Sequence, residues 1–320
     1  MTRTNIAILA ALVSGSAVSS VAAQAVIYAS GQLLTPGDPS IPPGEPGHDD
    51  SRDNFIYEID VMTGVATPVS PSTTGLPAAL AGTPSGDLFG FSSGQLLGVD
   101  PVGGRTTHIG SNNGLNATAF DITASGEGYL LPFDANFDTQ QLFGIDLDSG
   151  ASTAIGSSTA IGDAIDLARG TALGTATPFV ISLGSVGDTL YGIDLDTDSL
   201  VSIDRTSGDA SVVGAVSAVG AGNGGGYSGF SALTGVDEDL DGDFDALFGS
   251  VNFFDDDGDP NTPSQRLGGL ARFDLSTGEW SLVGTNSGVI FFGFGSSPIP
   301  APGTAIALAS CGVALGRRRR

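Results

Sequence analysis

Short stretches in which apolar and polar residues alternate, each ending at an aspartate, recur along the middle of the chain. Phe55-Ile56-Tyr57-Glu58-Ile59 runs into Asp60, and Leu200-Val201-Ser202-Ile203 runs into Asp204. Such period-two alternation predicts a half-buried strand. The same punctuation follows each aspartate: three residues, Gly, two residues, Ser or Thr, one residue, Val or Ile. Copies begin at Asp60, Asp100, Asp146, Asp204 and Asp274, with glycines at 64, 104, 150, 208 and 278. Four of the five add a further Gly, at 110, 156, 214 and 284. A capping aspartate, a glycine free to take positive φ and a returning segment with a β-branched residue together predict a β-hairpin.

Another strand-like segment precedes several of these hairpins: Asp87-Leu88-Phe89-Gly90-Phe91, Gly128-Tyr129-Leu130-Leu131, Thr189-Leu190-Tyr191-Gly192-Ile193 and Ala246-Leu247-Phe248-Gly249. Successive aspartates are 40, 46, 58 and 70 residues apart, bracketing the roughly 40 to 50 residues of known propeller blades. A unit of three or four short strands cannot bury both of its faces alone, so several must stack around an axis. The expected fold is therefore all-β, a β-propeller of five recognisable blades, with up to seven if residues 157–188 hold a degenerate one. A β-sandwich also shows alternating short strands and is the alternative, but it does not require one hairpin five times. Closure is legible as well. Val289-Ile290-Phe291-Phe292-Gly293-Phe294 is an apolar strand with no hairpin of its own, and the first unit lacks an innermost strand, so pairing the two would shut the ring. Residues 189–194, 200–204 and 206–208 resemble the repeats of bacterial propeller proteins carrying an LYGID, L..ID, TG, VG pattern. Over residues 50–295 that resemblance implies a fold and nothing more.

The two ends of the chain read as addresses. Residues 1–25 have the form of a secretory signal peptide: Arg3, an apolar run at 6–13, and Ala23-Gln24-Ala25 as a small-x-small cleavage site. At the other end, Pro298-Ile299-Pro300-Ala301-Pro302-Gly303 precedes a small and apolar run at 304–316 and four arginines at 317–320. The positive-inside bias would hold that block in the cytoplasm and the body outside. Residues 298–320 resemble the PEP-CTERM sorting tail of exported bacterial proteins, with Ala301 in place of the acidic residue. The resemblance implies transient insertion in the inner membrane through a short transmembrane helix, an exosortase-like processing enzyme as partner, and delivery to the cell surface or the extracellular medium. Cys311 lies inside this tail, so the body, 26–297, holds no cysteine and no disulfide.

Charge sharpens the picture of partners. The 320-residue chain has 11 basic residues against 35 acidic ones, a formal net charge of -24, and every basic residue is Arg. Five arginines sit in the end segments, which leaves six in the body. Such a field repels phosphate backbones, so nucleic acid is excluded as a partner, and it attracts divalent cations. Asp237, Asp239, Asp241, Asp243 and Asp245 alternate along one segment, with Gly242 at its sixth position. Oxygen-only ligands at this spacing suit calcium, which takes six to eight of them. Phe248 at position 12, where a bidentate Glu is required, excludes an EF-hand. The nonapeptide resembles the calcium loops of FG-GAP and VCBS repeats, which implies that these five residues hold calcium. A second run could direct Asp255, Asp257, Asp259 and Asn261 at one ion, although Pro260 restricts its shape.

Signals for catalysis are poor. His48 lies in a Pro-rich segment and His108 on a hairpin strand, where structural or solvated roles are expected. Gly90-Phe91-Ser92-Ser93-Gly94 has nucleophile-elbow spacing without a following helix. Gly220-Ala221-Gly222-Asn223-Gly224-Gly225 has dinucleotide-fingerprint letters without a helix N-terminus to present to a pyrophosphate. Trp280, the lone Trp, is expected in the core. The functional expectation is an exported, acidic, calcium-stabilised propeller that acts as a binding or structural protein toward extracellular polysaccharide or envelope proteins. The alternative is a calcium-dependent propeller hydrolase, lactonase- or phosphatase-like, with carboxylates or histidines converging on a central channel.

Overall fold

In the computed structural model, which describes residues 25–35, 51–73, 75–133, 139–216, 226–255 and 265–298, the repeated aspartates form the turns their positions predict. Asp60 Oδ1 accepts the Met62 and Thr63 N–H groups at 2.9 and 3.0 Å, and the Gly64 N–H donates to the Asp60 carbonyl at 2.8 Å. Asp100 and Asp204 repeat the arrangement. All five turn glycines have φ between 63° and 79°, a left-handed conformation that a Cβ penalises.

In chain order, blade 1 begins with β1 (Ala25–Thr35), β2 (Ser51–Asp60) and β3 (Ala66–Pro68). Blade 2 comprises β4 (Ala79–Gly82), β5 (Leu88–Ser92), β6 (Gln95–Asp100) and β7 (Arg105–Ile109). Blade 3 comprises β8 (Asn116–Ile122), β9 (Gly128–Phe133), β10 (Leu142–Ile145) and β11 (Ser152–Ile155). After the helix α1 (Ala160–Arg169), blade 4 comprises β12 (Val180–Val186), β13 (Thr189–Asp194), β14 (Ser199–Asp204) and β15 (Ala210–Ala215). Blade 5 comprises β16 (Gly226–Val236), β17 (Ala246–Asp255), β18 (Gln265–Phe273) and β19 (Trp280–Ser287). The last strand, β20 (Val289–Pro298), returns to blade 1 and pairs antiparallel with β1, from Ala25 opposite Pro298 to Leu33 opposite Val289.

Five antiparallel four-stranded sheets result. Their inner strands β4, β8, β12, β16 and β20 each pack on two others, in that order and back to β4, so the ring closes. The architecture is the five-bladed β-propeller. Residues 157–188 hold no further blade; they supply α1, which buries Ile161 and Ile165 against blades 3 and 4, and the inner strand β12. The strand at 289–294 closes blade 1 as its apolar run predicts. Its partner β1 begins at Ala25, the last residue of the segment expected to be a signal peptide.

The core is divided among the blade interfaces, because each sheet face is covered by the next blade. Ile56 meets Leu80 and Leu88 between blades 1 and 2, and Phe91 meets Phe120 between blades 2 and 3. Leu131 and Leu190 share a cluster between blades 3 and 4, Leu200 and Leu247 one between blades 4 and 5, and Phe248 and Ile59 one between blades 5 and 1.

The final glycine of the repeat is explained by the same stacking. A Cβ on Gly110 would stand 1.7 Å from the Ser149 carbonyl, and one on Gly214 would stand 2.0 Å from that of Thr277. Gly156 and Gly284 sit just as tightly on Ser207 and Thr63, each in the aspartate turn of the next blade. The first copy carries Ser70 there instead, and its hydroxyl accepts the Ile56 N–H at 2.9 Å.

Connectivity sorts the loops between two ends. The aspartate turns, the links from each inner strand to the next strand, and both Ala25 and Pro298 lie at one end. Most acidic residues of the described body lie there too, among them Asp87, Glu127, Asp188 and the 237–245 segment.

Candidate functional site

The 237–245 segment is the link from β16 to β17. Asp237 is 6% exposed, and its two carboxylate oxygens accept the N–H groups of Asp241 (3.1 Å) and Gly242 (2.8 Å), which bends the chain back on itself. Leu240 and Gly242, at φ 63° and 103°, complete the bend. The loop is tied to its strands by the Asp245 N–H on the Val236 carbonyl at 3.0 Å and by the Glu238 N–H on Asp245 Oδ1 at 3.0 Å. Phe244 is buried below it, and its carbonyl accepts the Gly187 N–H from blade 4.

Three of the five expected ligands converge: Asp237, Asp239 and Asp241 each place a carboxylate oxygen within 4.8 Å of the others. Two oxygens on opposite sides of a calcium ion at about 2.4 Å are about 4.8 Å apart, so this spread fits one ion. Asp243 and Asp245 are not in that trio; Asp245 Oδ1 is engaged by Glu238 instead. Burial and then the charges of Asp241, Asp245 and Asp237 push the Asp239 carboxyl above its ordinary value, against the opposing pull of the Asp241 N–H. The cluster therefore favours a proton or a cation. Among the described residues the basic group at this loop is Arg272, which takes Glu238 at 2.7 and 3.3 Å and leaves the trio to itself.

The second acidic run follows β17, at the opposite end of that strand from the first. Asp255, the first residue of that run, ends the ten-residue strand β17, about 33 Å from the strand's start. Asp255 ends β17 opposite Gln265, whereas Asp257, Asp259 and Asn261 fall outside the described residues, as do 1–24 and 299–320. No helix among the described residues is long and apolar enough to cross a membrane. His108 lies on β7, exposed, and Trp280 is buried against Phe230 and Phe253.

Two features went unread in the sequence. Thr83-Pro84-Ser85-Gly86-Asp87 and Thr123-Ala124-Ser125-Gly126-Glu127, 40 residues apart, make identical turns. In each, the Thr hydroxyl meets the Ser hydroxyl and the Ser hydroxyl donates to the carboxylate. Their spacing equals that between Asp60 and Asp100 and was the available signal. They flank an open groove of about 1050 Å³ between blades 2 and 3, lined also by Phe89, Tyr129, Asp146 and Asp148. Arg205 closes its neighbourhood by pairing with Glu127 of blade 3 and Asp188 of blade 4. The second feature is Asp121 on β8, which is 1% exposed. Burial pushes its carboxyl up to about 7, offset in part by the Ser185 hydroxyl and the N–H groups of Ile122 and Ser185. Ala117 and Ala119 precede it at two-residue spacing, so an aspartate on a face of small apolar residues was the clue.

No protein-family model matches the chain, and comparison with curated proteins finds no match. Among solved structures, the chain is similar to one in a nidogen/laminin complex, at 10% identity and TM-score 0.43, covering 85% of this chain and 98% of that one. It is also similar to the calcium-binding protein regucalcin of Agrobacterium tumefaciens, at 15% identity and TM-score 0.35, covering 75% and 81%. Virginiamycin B lyase of Staphylococcus aureus is similar at 13% identity and TM-score 0.35, covering 76% and 81%. Scores at this level transfer no site and no activity to this chain.

Proposed function

We propose that this protein is an exported, calcium-stabilised propeller that serves as a binding or structural component of the cell surface or extracellular matrix. The observation that carries the calcium part is the convergence of Asp237, Asp239 and Asp241 in a loop already bent to bring them together. Calcium there would neutralise carboxylates that otherwise repel each other and would hold the β16–β17 link against blade 4. Asp237, Asp239 and Asp241 would be the ligands, with water or loop carbonyls completing the shell. Asp255, Asp257, Asp259 and Asn261 are the second, separate candidate set.

Export rests on the signal-like 1–25 segment and on the sorting-like 298–320 tail. The groove between blades 2 and 3, with its hydroxyls, carboxylates and the Phe89 and Tyr129 side chains, is the place for an extracellular polysaccharide or an envelope protein. The hydrolase alternative requires catalytic groups at the axis. There the described cavity measures about 10 Å³ and is lined by residues such as Leu80, Phe120, Ser182 and Phe292. Asp121 is the one carboxylate on the described inner strands.

Thermal unfolding of the full chain in chelator and in millimolar calcium tests the metal. Calcium should raise the melting temperature by about 5 °C, and Asp239→Asn should remove that rise. An unchanged melting temperature would discard calcium. Fractionation of a diderm bacterium expressing the full chain should find the propeller outside the cytoplasm, and retention in the cytoplasm would discard export.

A further inference from the structure

Near the acidic end of the axis the five inner strands approach at one level. Asp121 of β8 lies beside Ser185 of the neighbouring inner strand, β12. The Ser185 carbonyl sits against Gly235 of β16, where a Cβ would be 1.7 Å away. Next to Gly235, the Thr234 hydroxyl accepts the N–H of Ser296 on β20 at 3.2 Å. The Ser296 carbonyl in turn sits 1.6 Å from where a Cβ of Gly82 would be, at the end of β4. This level holds three buried side-chain oxygens without a hydrogen-bond partner: Asp121 Oδ2, Ser185 Oγ and Ser296 Oγ. The Ser185 groups lie near enough to favour a charged carboxylate, but none is aligned on Oδ2.

A carboxylate oxygen buried without a partner is costly, and native structures answer it with water, an ion or a proton. The uncharged groups of β8 and β12 are the influences on this carboxyl besides burial; Tyr129 faces Asp121 across the β8–β9 pair. A divalent ion beside one carboxylate would leave a net positive charge in the core, whereas a monovalent ion neutralises it. The nearest described opening on the axis, lined by Phe120, Ser182 and Gly293 three residues along β12 and β20 from Ser185 and Ser296, is about 10 Å³, the space of one water-sized sphere. We infer that Asp121 and Ser185 hold a single monovalent metal cation of sodium size between the inner strands of blades 3 and 4, with Ser296 on the same level. The ion would bind independently of the calcium loop and would tie the blades at their axis.

The test is the melting temperature of the full chain at pH 8 in a chelator that removes calcium, with sodium chloride compared against choline chloride at equal ionic strength. Sodium should raise it by about 5 °C. Asp121→Asn, which is isosteric and uncharged, should melt at the same temperature in both salts, while Asp239→Asn should keep the full sodium response. If Asp121→Asn does not fold, Ser185→Ala replaces it and should lose most of the response. Equal melting of the wild type in the two salts would overturn the inference and leave water or a proton on Asp121. So would a sodium response that survives Asp121→Asn or, where that variant does not fold, Ser185→Ala.

Discussion

The loop at 237–245 puts six carboxylates within nine residues at the surface, where backbone N–H groups, Arg272 and water share their charge. Asp121 puts one carboxylate between inner strands, where neither a backbone N–H nor an arginine reaches its Oδ2. Both situations push a carboxyl upward, at exposed Asp239 by loss of hydration in the crowded loop together with the neighbouring carboxylates, and at Asp121 by burial. The difference matters chemically. Crowded carboxylates at a surface are best neutralised by a divalent ion that touches several at once, whereas a solitary buried one needs a single charge and no more. Sequence spacing reports the first kind because it is local, and it is silent on the second because the dry environment comes from other blades.

The largest effect that would break this contrast is the pH dependence of Asp121. Its carboxyl rises from 3.8 in the unfolded chain to about 7 in the fold, so the folded state holds a proton that the unfolded state has released. With choline as the only added cation, stability should fall as pH rises from about 4 to about 7, by several kcal/mol, and then level off. Asp121→Asn should remove that slope in urea unfolding, and a slope unchanged in the variant would place the effect elsewhere.

Within the loop, the exposed and buried members should differ in the same sense. Asp237→Ala strands the Asp241 and Gly242 N–H groups and should cost about 2 kcal/mol in chelator. Asp243→Ala should stay within about 0.5 kcal/mol. Equal costs would mean that Asp237 does not shape the loop.

A control away from both acidic sites probes the ring itself. Gly214→Ala drives a methyl group into the Thr277 carbonyl and should cost about 1–3 kcal/mol. Ser70→Ala, at the equivalent place in blade 1, should cost about 1 kcal/mol through its hydrogen bond to Ile56.

The smallest effect is at an exposed turn. Thr206 and the N–H groups of Ser207 and Thr206 hold the Asp204 carboxyl down to about 2 from 3.8. Its contribution is present above about pH 4 and is lost as pH falls toward 2. Asp204→Asn should flatten stability slightly in that window alone, and an effect near pH 7 would contradict the assignment.

Much of the fold was legible because its turns are local. An aspartate, a glycine four residues on and a β-branched return segment meet within one hairpin, so their spacing survives in the linear chain. The apolar run at 289–294 also announced the closing strand. The inner strands β4 and β8 were not legible: Ala79-Leu80-Ala81-Gly82 and Asn116–Ile122 are short and carry no turn signature of their own. The glycine that ends β4 is explained by the neighbouring blade, whose Ser296 carbonyl approaches Gly82 to contact distance. Of the acidic loop, the carboxylates and their spacing could be read, but not that Asp237, Asp239 and Asp241 would gather while Asp245 accepted the Glu238 N–H.

What the chain determines by itself is what neighbours in sequence can settle: hairpin turns, strand alternation and the crowding of carboxylates in the acidic loop. What only the tertiary structure decided is what depends on residues far apart in the chain. The blade number was set once 157–188 proved to hold a helix and an inner strand, and β1 was matched to β20 across some 260 residues. The role of Asp121 belongs here too, since desolvation is a property of surroundings assembled from separate blades and no spacing along the chain encodes it.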